Sequence, residues 1–94
     1  MATLSVRHKV SDYAKWKSVY DQGKPMIKSG GGKRQRLFRN SANPNELVIL
    51  TEFDDMNKAK QLAESDELKQ TMQRAGVAEV PTIFFLEEIE NVTL

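Results

Sequence analysis

Two short segments carry apolar side chains at every position, and they set the first expectation about the fold. Residues 47–50 and 83–86 consist of branched aliphatic and aromatic side chains, which are typical of β-strands. Successive strand residues point to opposite faces of a sheet, so both segments need apolar cover on two faces. Only two helical regions are predicted, and they cover one face. We therefore expect a second copy of the protein to cover the other.

The first strand alternates between apolar and polar positions over residues 3–10. Its apolar side includes the only histidine of the chain, and we expect this side to face the helices. The apolar side consists of Leu4, Val6, His8 and Val10, and the polar side of Ser5, Arg7 and Lys9.

A first helix is predicted directly after this strand. Ser11 or Asp12 supplies the N-cap oxygen, and Gly23 and Pro25 interrupt the helix. The aromatic residues of this helix recur at helical spacing and are Tyr13, Trp16 and Tyr20.

The second helical region is predicted to begin after Asp54 or Asp55, whose carboxylates suit an N-cap. Ser65 provides a second cap signal, so we expect the helix to break and restart there. Gly76 is a natural residue to follow the helix end.

The remaining segments complete a four-stranded pattern. Residues 33–40 and 46–53 predict a hairpin joined by turn-forming residues 41–45. Residues 82–88 predict the last strand, which residues 89–94 could extend. The order strand, helix, strand, strand, helix, strand predicts an α+β ferredoxin-like βαββαβ sandwich, with a four-stranded antiparallel sheet and the helices on one face.

Composition narrows the class of protein. The chain has 94 residues, which we interpret as a single domain over 1–94, and it has no cysteine for a disulfide or a thiolate metal site. No signal-peptide pattern and no membrane-spanning apolar run is recognisable. We therefore expect a cytoplasmic protein with no membrane partner.

Charge is divided unevenly along the chain. Residues 1–40 hold ten Lys and Arg against two acidic residues, and residues 41–94 hold four against eleven. A basic strand could meet nucleic acid or an acidic substrate, or the two halves could neutralise each other within the fold or across a dimer. The pI near 8.0 and the lack of an RNA-binding aromatic motif favour neutralisation and indicate no nucleic-acid partner.

Several stretches resemble the dimeric α/β-barrel superfamily, near the antibiotic-biosynthesis-monooxygenase and cyclase-like small proteins. They are residues 6–16, residues 46–55 followed by Ala59, residues 65–69 and residues 75–81. The resemblance implies a homodimer in which two sheets face each other, with a pocket between sheet and helices in each monomer. Activities in such families include cofactor-independent oxygenation of aromatic compounds, haem degradation and cyclisation or lactone chemistry. The fold alone does not choose among them.

His8 is the candidate catalytic residue. A neutral imidazole among aromatic side chains could act as a general base or orient a bound carbonyl. The alternatives are a packed histidine satisfied by one hydrogen bond and a haem ligand, which no second feature supports. Tyr13, Trp16 and Tyr20 either belong only to the core or also form the wall of a pocket for a flat ligand.

Charged residues on the other face of the sheet offer a further option. Arg7 and Glu52 are predicted to pair across neighbouring strands, and Arg36 could join them. The weaker alternative is that Arg7 or Arg36 binds an anionic substrate. The glycines at 30–32 do not fit a phosphate-binding loop, and the scattered carboxylates do not predict a metal site.

These observations together predict a homodimer that binds a small aromatic or carbonyl-bearing molecule. If it is an enzyme, we expect no metal and no cofactor, with a monooxygenase or cyclase-like reaction at His8. The alternative is a non-catalytic binding or stress-response module. A pocket that reaches His8 favours the enzyme, whereas a buried His8 bonded to backbone favours the module.

Overall fold

The structure is a computed structural model that describes residues 2–94, and these residues form four strands and four helices. In chain order they are β1 (Ala2–Lys9), α1 (Tyr13–Gln22), α2 (Lys24–Ser29), β2 (Gly32–Asn40), β3 (Asn43–Phe53), α3 (Met56–Glu64), α4 (Asp66–Arg74) and β4 (Thr82–Glu87). The two predicted helical regions are each divided into two helices.

The strands form one sheet in the order β2-β3-β1-β4, and every neighbouring pair is antiparallel. Each helical region therefore connects two strands that are separated by a third. This is the predicted ferredoxin-like arrangement, and the fold prediction is confirmed.

The predicted start and stop signals of the helices are confirmed. The side chain of Asp12 caps α1, that of Asp55 caps α3 and that of Ser65 caps α4, each by accepting a backbone N–H. α1 ends at Gly23, and α2 begins with Pro25 in its first turn. Proline suits that position because its missing N–H would have no partner in the helix.

Two element boundaries differ from the prediction. β3 begins at Asn43 rather than at residue 46, because the hairpin closes through a shorter turn in which the Asn40 side chain accepts the N–H of Ala42. β4 ends at Glu87, and residues 88–94 add no strand. Within the sheet, β4 is hydrogen-bonded to β1 alone. This pairing ends where Glu87 lies opposite Ala2.

The inner face of the sheet packs against the helices, as the alternation of β1 predicted. Three of its rows of cross-strand neighbours run from β2 through β3 to β1, and two of these three continue to β4. The rows are Gln35, Thr51, Leu4 and Phe85; then Leu37, Ile49, Val6 and Ile83; then Arg39, Leu47 and His8. One core cluster centres on Phe53 and Leu62, and a second on Trp16 and Leu47.

The outer face of the sheet has no cover within the described part of the chain. Its apolar side chains are Phe38 on β2, Val48 and Leu50 on β3, and Phe84 and Leu86 on β4. Phe84 is 59% exposed and Leu86 is 43% exposed. The predicted need for a second cover thus corresponds to a real apolar surface.

One predicted ion pair on this face is wrong. Arg7 binds Glu46 rather than Glu52. Arg7 lies opposite Val48, so Glu46 is its diagonal neighbour, whereas Glu52 lies four residues along β3, about 13 Å away. The Asn40 amide and then the Arg7 guanidinium lower the pKa of the Glu46 carboxyl.

The charge division is partly neutralised inside the fold. Ion pairs that cross from residues 1–40 to residues 41–94 are Arg7–Glu46, Lys9–Glu79 and Lys33–Asp54. Basic β2 and the acidic end of β4 do not meet, since they occupy opposite edges of the sheet. A contact between them across a dimer stays a prediction.

Candidate functional site

A cavity of about 70 Å³ lies between the inner face of the sheet and the helices. A single water molecule needs roughly 10–15 Å³ on this measure, so the cavity has room for a small ligand. Its floor is formed by side chains from three strands and its walls by all four helices. The residues that line it include Leu4, Val6 and His8 of β1, Gln35 of β2, Ile49 and Thr51 of β3, Trp16 and Tyr20 of α1, Ile27 of α2, Leu62 of α3 and Thr71 of α4.

His8 is the most unusual polar group of the cavity. Its side chain is buried, and neither ring nitrogen has a hydrogen-bond partner. A buried polar group without a partner costs roughly 1–3 kcal/mol, and such groups are rare in folded proteins. His8 is therefore not the backbone-bonded packed histidine that the sequence left open.

Burial also sets the protonation state of His8. Desolvation of the imidazolium lowers the pKa of His8 from 6.5 to about 4. At neutral pH the ring is uncharged, with one nitrogen able to donate a proton and the other able to accept one. The arrangement therefore supplies a neutral base facing an apolar cavity.

The aromatic residues of α1 form a stack beside His8. The rings of Trp16 and Tyr20 lie 4.8 Å apart at an angle of 16°, and the Trp16 ring meets the His8 ring edge-on. Burial raises the pKa of the Tyr20 phenol against the opposing effect of Lys17, so the hydroxyl stays protonated as a donor. Both rings line the cavity.

Tyr13 takes a supporting position in this stack. Its ring lies 6.1 Å from that of Trp16, on the side away from Tyr20, and is outside the cavity lining. The guanidinium of Arg39 lies 4.5 Å from the Tyr13 ring. Tyr13 thus packs against Trp16 from outside the cavity lining, and its predicted role in substrate binding stays a prediction.

A second polar group lies at the far end of the cavity from His8. The Gln35 side-chain N–H donates to the Thr51 hydroxyl at 3.1 Å. Thr51 lies opposite Leu4, four residues along β1 from His8, which corresponds to about 13 Å. The sequence reasoning missed both residues. The signal for Thr51 was a polar side chain at an inward position of a strand that is otherwise apolar on that side, whereas β2 carries both Gln35 and Arg39 inward and gives no such signal.

Arg36 is not brought together with the other candidate residues. It lies on the outer face, opposite Leu50, with its guanidinium 4.9 Å from the Phe38 ring. The sheet itself separates Arg36 from the cavity. The site at His8 therefore consists of His8, Trp16 and Tyr20 of the predicted residues, together with Gln35 and Thr51.

Residues 2–94 hold neither a cluster of metal ligands nor a membrane-crossing helix. No group of three or more potential metal ligands occurs among them. No helix in this part of the chain has the length and apolarity needed to cross a membrane.

The fold is that of antibiotic biosynthesis monooxygenases. SnoaB, a cofactor-independent oxygenase from Streptomyces nogalater, is 15% identical and superposes with a TM-score of 0.79 over 97% of this chain and 95% of its own. An antibiotic biosynthesis monooxygenase is 12% identical, with a TM-score of 0.72 over 96% and 100% of the two chains. A conserved protein from Methanosarcina mazei is 17% identical, with a TM-score of 0.64 over 93% and 91%.

The similarity is one of structure. The sequence matches no protein-family model and no curated protein sequence. At such low identity a shared fold does not carry over the residues or the reaction of the other protein.

Proposed function

We propose that the chain is a homodimeric enzyme that oxygenates a small aromatic or carbonyl-bearing substrate without a cofactor, with His8 as the general base. The observation that carries the proposal is the buried His8 imidazole, which faces the cavity with both nitrogens unpartnered. A fold also found in a cofactor-independent oxygenase supports it.

The chemistry requires only a base, an acidic C–H group and dioxygen. His8 accepts a proton from a substrate CH₂ that is acidified by an adjacent ring or carbonyl. The carbanion transfers one electron to dioxygen, and the two radicals combine to a peroxide anion that takes the proton back from His8. Loss of water then leaves a carbonyl, so one CH₂ and one O₂ give one C=O and one H₂O.

The surroundings of His8 suit this first step. The neutral imidazole is the form present at neutral pH. A carbanion that develops beside the ring raises the pKa of the imidazolium, so proton transfer becomes easier as the charge forms. Trp16 and Tyr20 provide flat apolar walls that exclude water, which would otherwise protonate the carbanion.

The exposed apolar side chains on the outer face of the sheet support the proposed homodimer. Two copies that pack their outer faces together would cover Phe84, Leu86, Leu50, Val48 and Phe38 at once, each with the same patch of the partner. This supplies the second cover that residues 47–50 and 83–86 require.

A cyclase-like reaction would share the first step, since it also begins with proton removal next to a carbonyl. Oxygen consumption separates the two reactions. The non-catalytic module is less well supported, because the hydrogen-bonded histidine expected of it is not found.

The test begins with a thermal-shift screen of phenols and cyclic ketones, followed by an oxygen electrode for each ligand that raises the melting temperature. His8→Leu replaces the imidazole with an apolar side chain of similar size. It should remove turnover while leaving the fold intact. Val10→Ala, a buried position outside the cavity lining, is the control for loss of stability alone. Undiminished oxygen uptake by His8→Leu would refute the proposed role.

A further inference from the structure

A larger surface cleft adjoins the cavity, and the proposed reaction does not explain it. The cleft has a volume of about 640 Å³ and lies between α2 and the start of β2. Tyr20, Ile27 and Gln35 line both spaces, so the two are adjacent. The cleft opens at the end of the cavity that is far from His8, next to the Gln35–Thr51 pair.

The charged residues that line the cleft are all basic. They are Lys24, Lys28, Lys33 and Arg34. Lys24 is paired with Asp21 at 3.1 Å and Lys33 with Asp54 at 3.6 Å, and both carboxylates lie outside the lining. Among the described residues, Lys28 has no acidic group within 4.0 Å. Arg34 lies opposite Glu52 in the register of β2 against β3, so its side chain belongs to the outer face, as that of Arg36 does. The cleft therefore presents a net positive charge to whatever enters it.

Polarity changes in one direction along the combined space. Lysines surround its mouth, the Gln35 amide and Thr51 hydroxyl lie at the boundary, and apolar side chains such as Val6 and Leu62 follow. His8 closes the inner end with its unpartnered nitrogens. A ligand that matches this gradient carries a charged group, an apolar body and a reactive group in that order.

We infer that the substrate is an amphipathic anion whose carboxylate or phosphate stays in the basic cleft while its apolar body fills the cavity and its reactive carbon reaches His8. This rests on the proposed function of the same cavity. The distance of about 13 Å between the His8 and Thr51 positions along the sheet requires a body longer than one ring. Two linked rings that carry a polar group at each para position cover most of this distance.

The binding test uses three rigid probes that differ only at one end. Each is a biphenyl with a para hydroxyl on one ring, and the other para position carries a carboxylate, a phosphate monoester or a neutral methyl ester. Trp16 is the only tryptophan and lines the cavity, so quenching of its fluorescence reports occupancy. Two or three exposed ion pairs predict about five- to tenfold tighter binding of the anions than of the ester at low salt.

Salt and charge-reversal variants then locate the anion. Near 1 M salt the Debye length falls to about 3 Å, so the advantage of the anions over the ester should disappear. The variant Lys28→Glu with Lys33→Glu should abolish the advantage at low salt and leave the Kd of the methyl ester unchanged. Lys69→Glu is the matched control, since Lys69 is an exposed helical lysine outside both spaces.

The outcomes separate this inference from the proposed function. If the unaltered protein binds the ester and both anions with equal affinity, the inference of an anionic substrate is overturned and the proposed reaction is not affected. The same holds if Lys69→Glu reduces the advantage of the anions as much as the cleft variant does. A preference for either anion that the cleft variant removes supports the inference and identifies the charged group. Failure of all three probes to quench Trp16 overturns the ligand cavity, and with it both proposals.

Discussion

The imidazole of His8 meets the indole of Trp16 edge-on, with 5.6 Å between the ring centroids and an angle of 65° between the planes. The contact joins β1 to α1 at the inner end of the cavity. The chain contains one histidine and one tryptophan, so each ring gives a spectroscopic signal from a single residue. The binding site can therefore be followed by Trp16 fluorescence and by the His8 ring resonances.

Replacement of His8 by leucine should stabilise the protein, or at least leave it as stable. The imidazole keeps two buried nitrogens without partners, and leucine removes that cost of about 1–3 kcal/mol. Urea unfolding of the variant and the unaltered protein measures the difference. A loss of several kcal/mol would mean that the His8 nitrogens are hydrogen-bonded in solution.

Stability should fall with acid through the titration of His8. The folded-state pKa of about 4 lies below the unfolded value of 6.5, so the unfolded chain binds the proton more readily. The stability difference is fully present above pH 6.5 and is lost as pH falls toward 4, by on the order of 2–3 kcal/mol. Urea midpoints over this range should fall further in the unaltered protein than in His8→Leu, where only carboxyls with a lowered pKa, such as that of Glu46, still contribute.

An NMR titration checks the same shift directly. The His8 ring protons should show their inflection near pH 4, whereas an exposed histidine titrates near 6.5. An inflection above pH 6 would contradict the buried neutral state.

A charge on the outer face should separate the proposed dimer. Phe84→Glu places a carboxylate in the apolar surface on edge strand β4, opposite Ser5 and two strands from Leu50. Light scattering after size exclusion should give about twice 10.7 kDa for the unaltered protein and about 10.7 kDa for the variant. Val80→Glu, a 92% exposed position outside the sheet, should stay dimeric. A monomeric unaltered protein would rule out the homodimer.

Loss of the Thr51 hydroxyl should weaken substrate binding more than turnover. Thr51→Val keeps the shape of the side chain and leaves the Gln35 amide without its acceptor, at a cost of about 1 kcal/mol in the free energy of unfolding. KM should rise about two- to tenfold with kcat nearly unchanged, because His8 is distant. Thr71→Val is the control, since its hydroxyl donates to the Glu67 carbonyl within α4. An equal fall of kcat in both variants would contradict this role.

The fold follows from local patterns in the sequence. Alternation in β1 assigned His8 to the helix side, and the cap residues Asp12, Asp55 and Ser65 located the starts of three helices. These signals are local, since they depend on the direction of a side chain or on the hydrogen bonds of one turn. The need for a second cover over residues 47–50 and 83–86 was equally visible, because strand geometry alone imposes it.

Which polar groups share a cavity depends instead on the packing of the whole fold. Glu46 rather than Glu52 binds Arg7 because the register of β1 against β3 is set by the whole sheet. Gln35, Thr51 and His8 come from three strands, and their common cavity depends on how the helices pack above them. The protonation state of His8 and the lack of hydrogen bonds to its ring are likewise properties of the folded protein. Its low pKa and its unpartnered nitrogens result from burial, which no local pattern specifies.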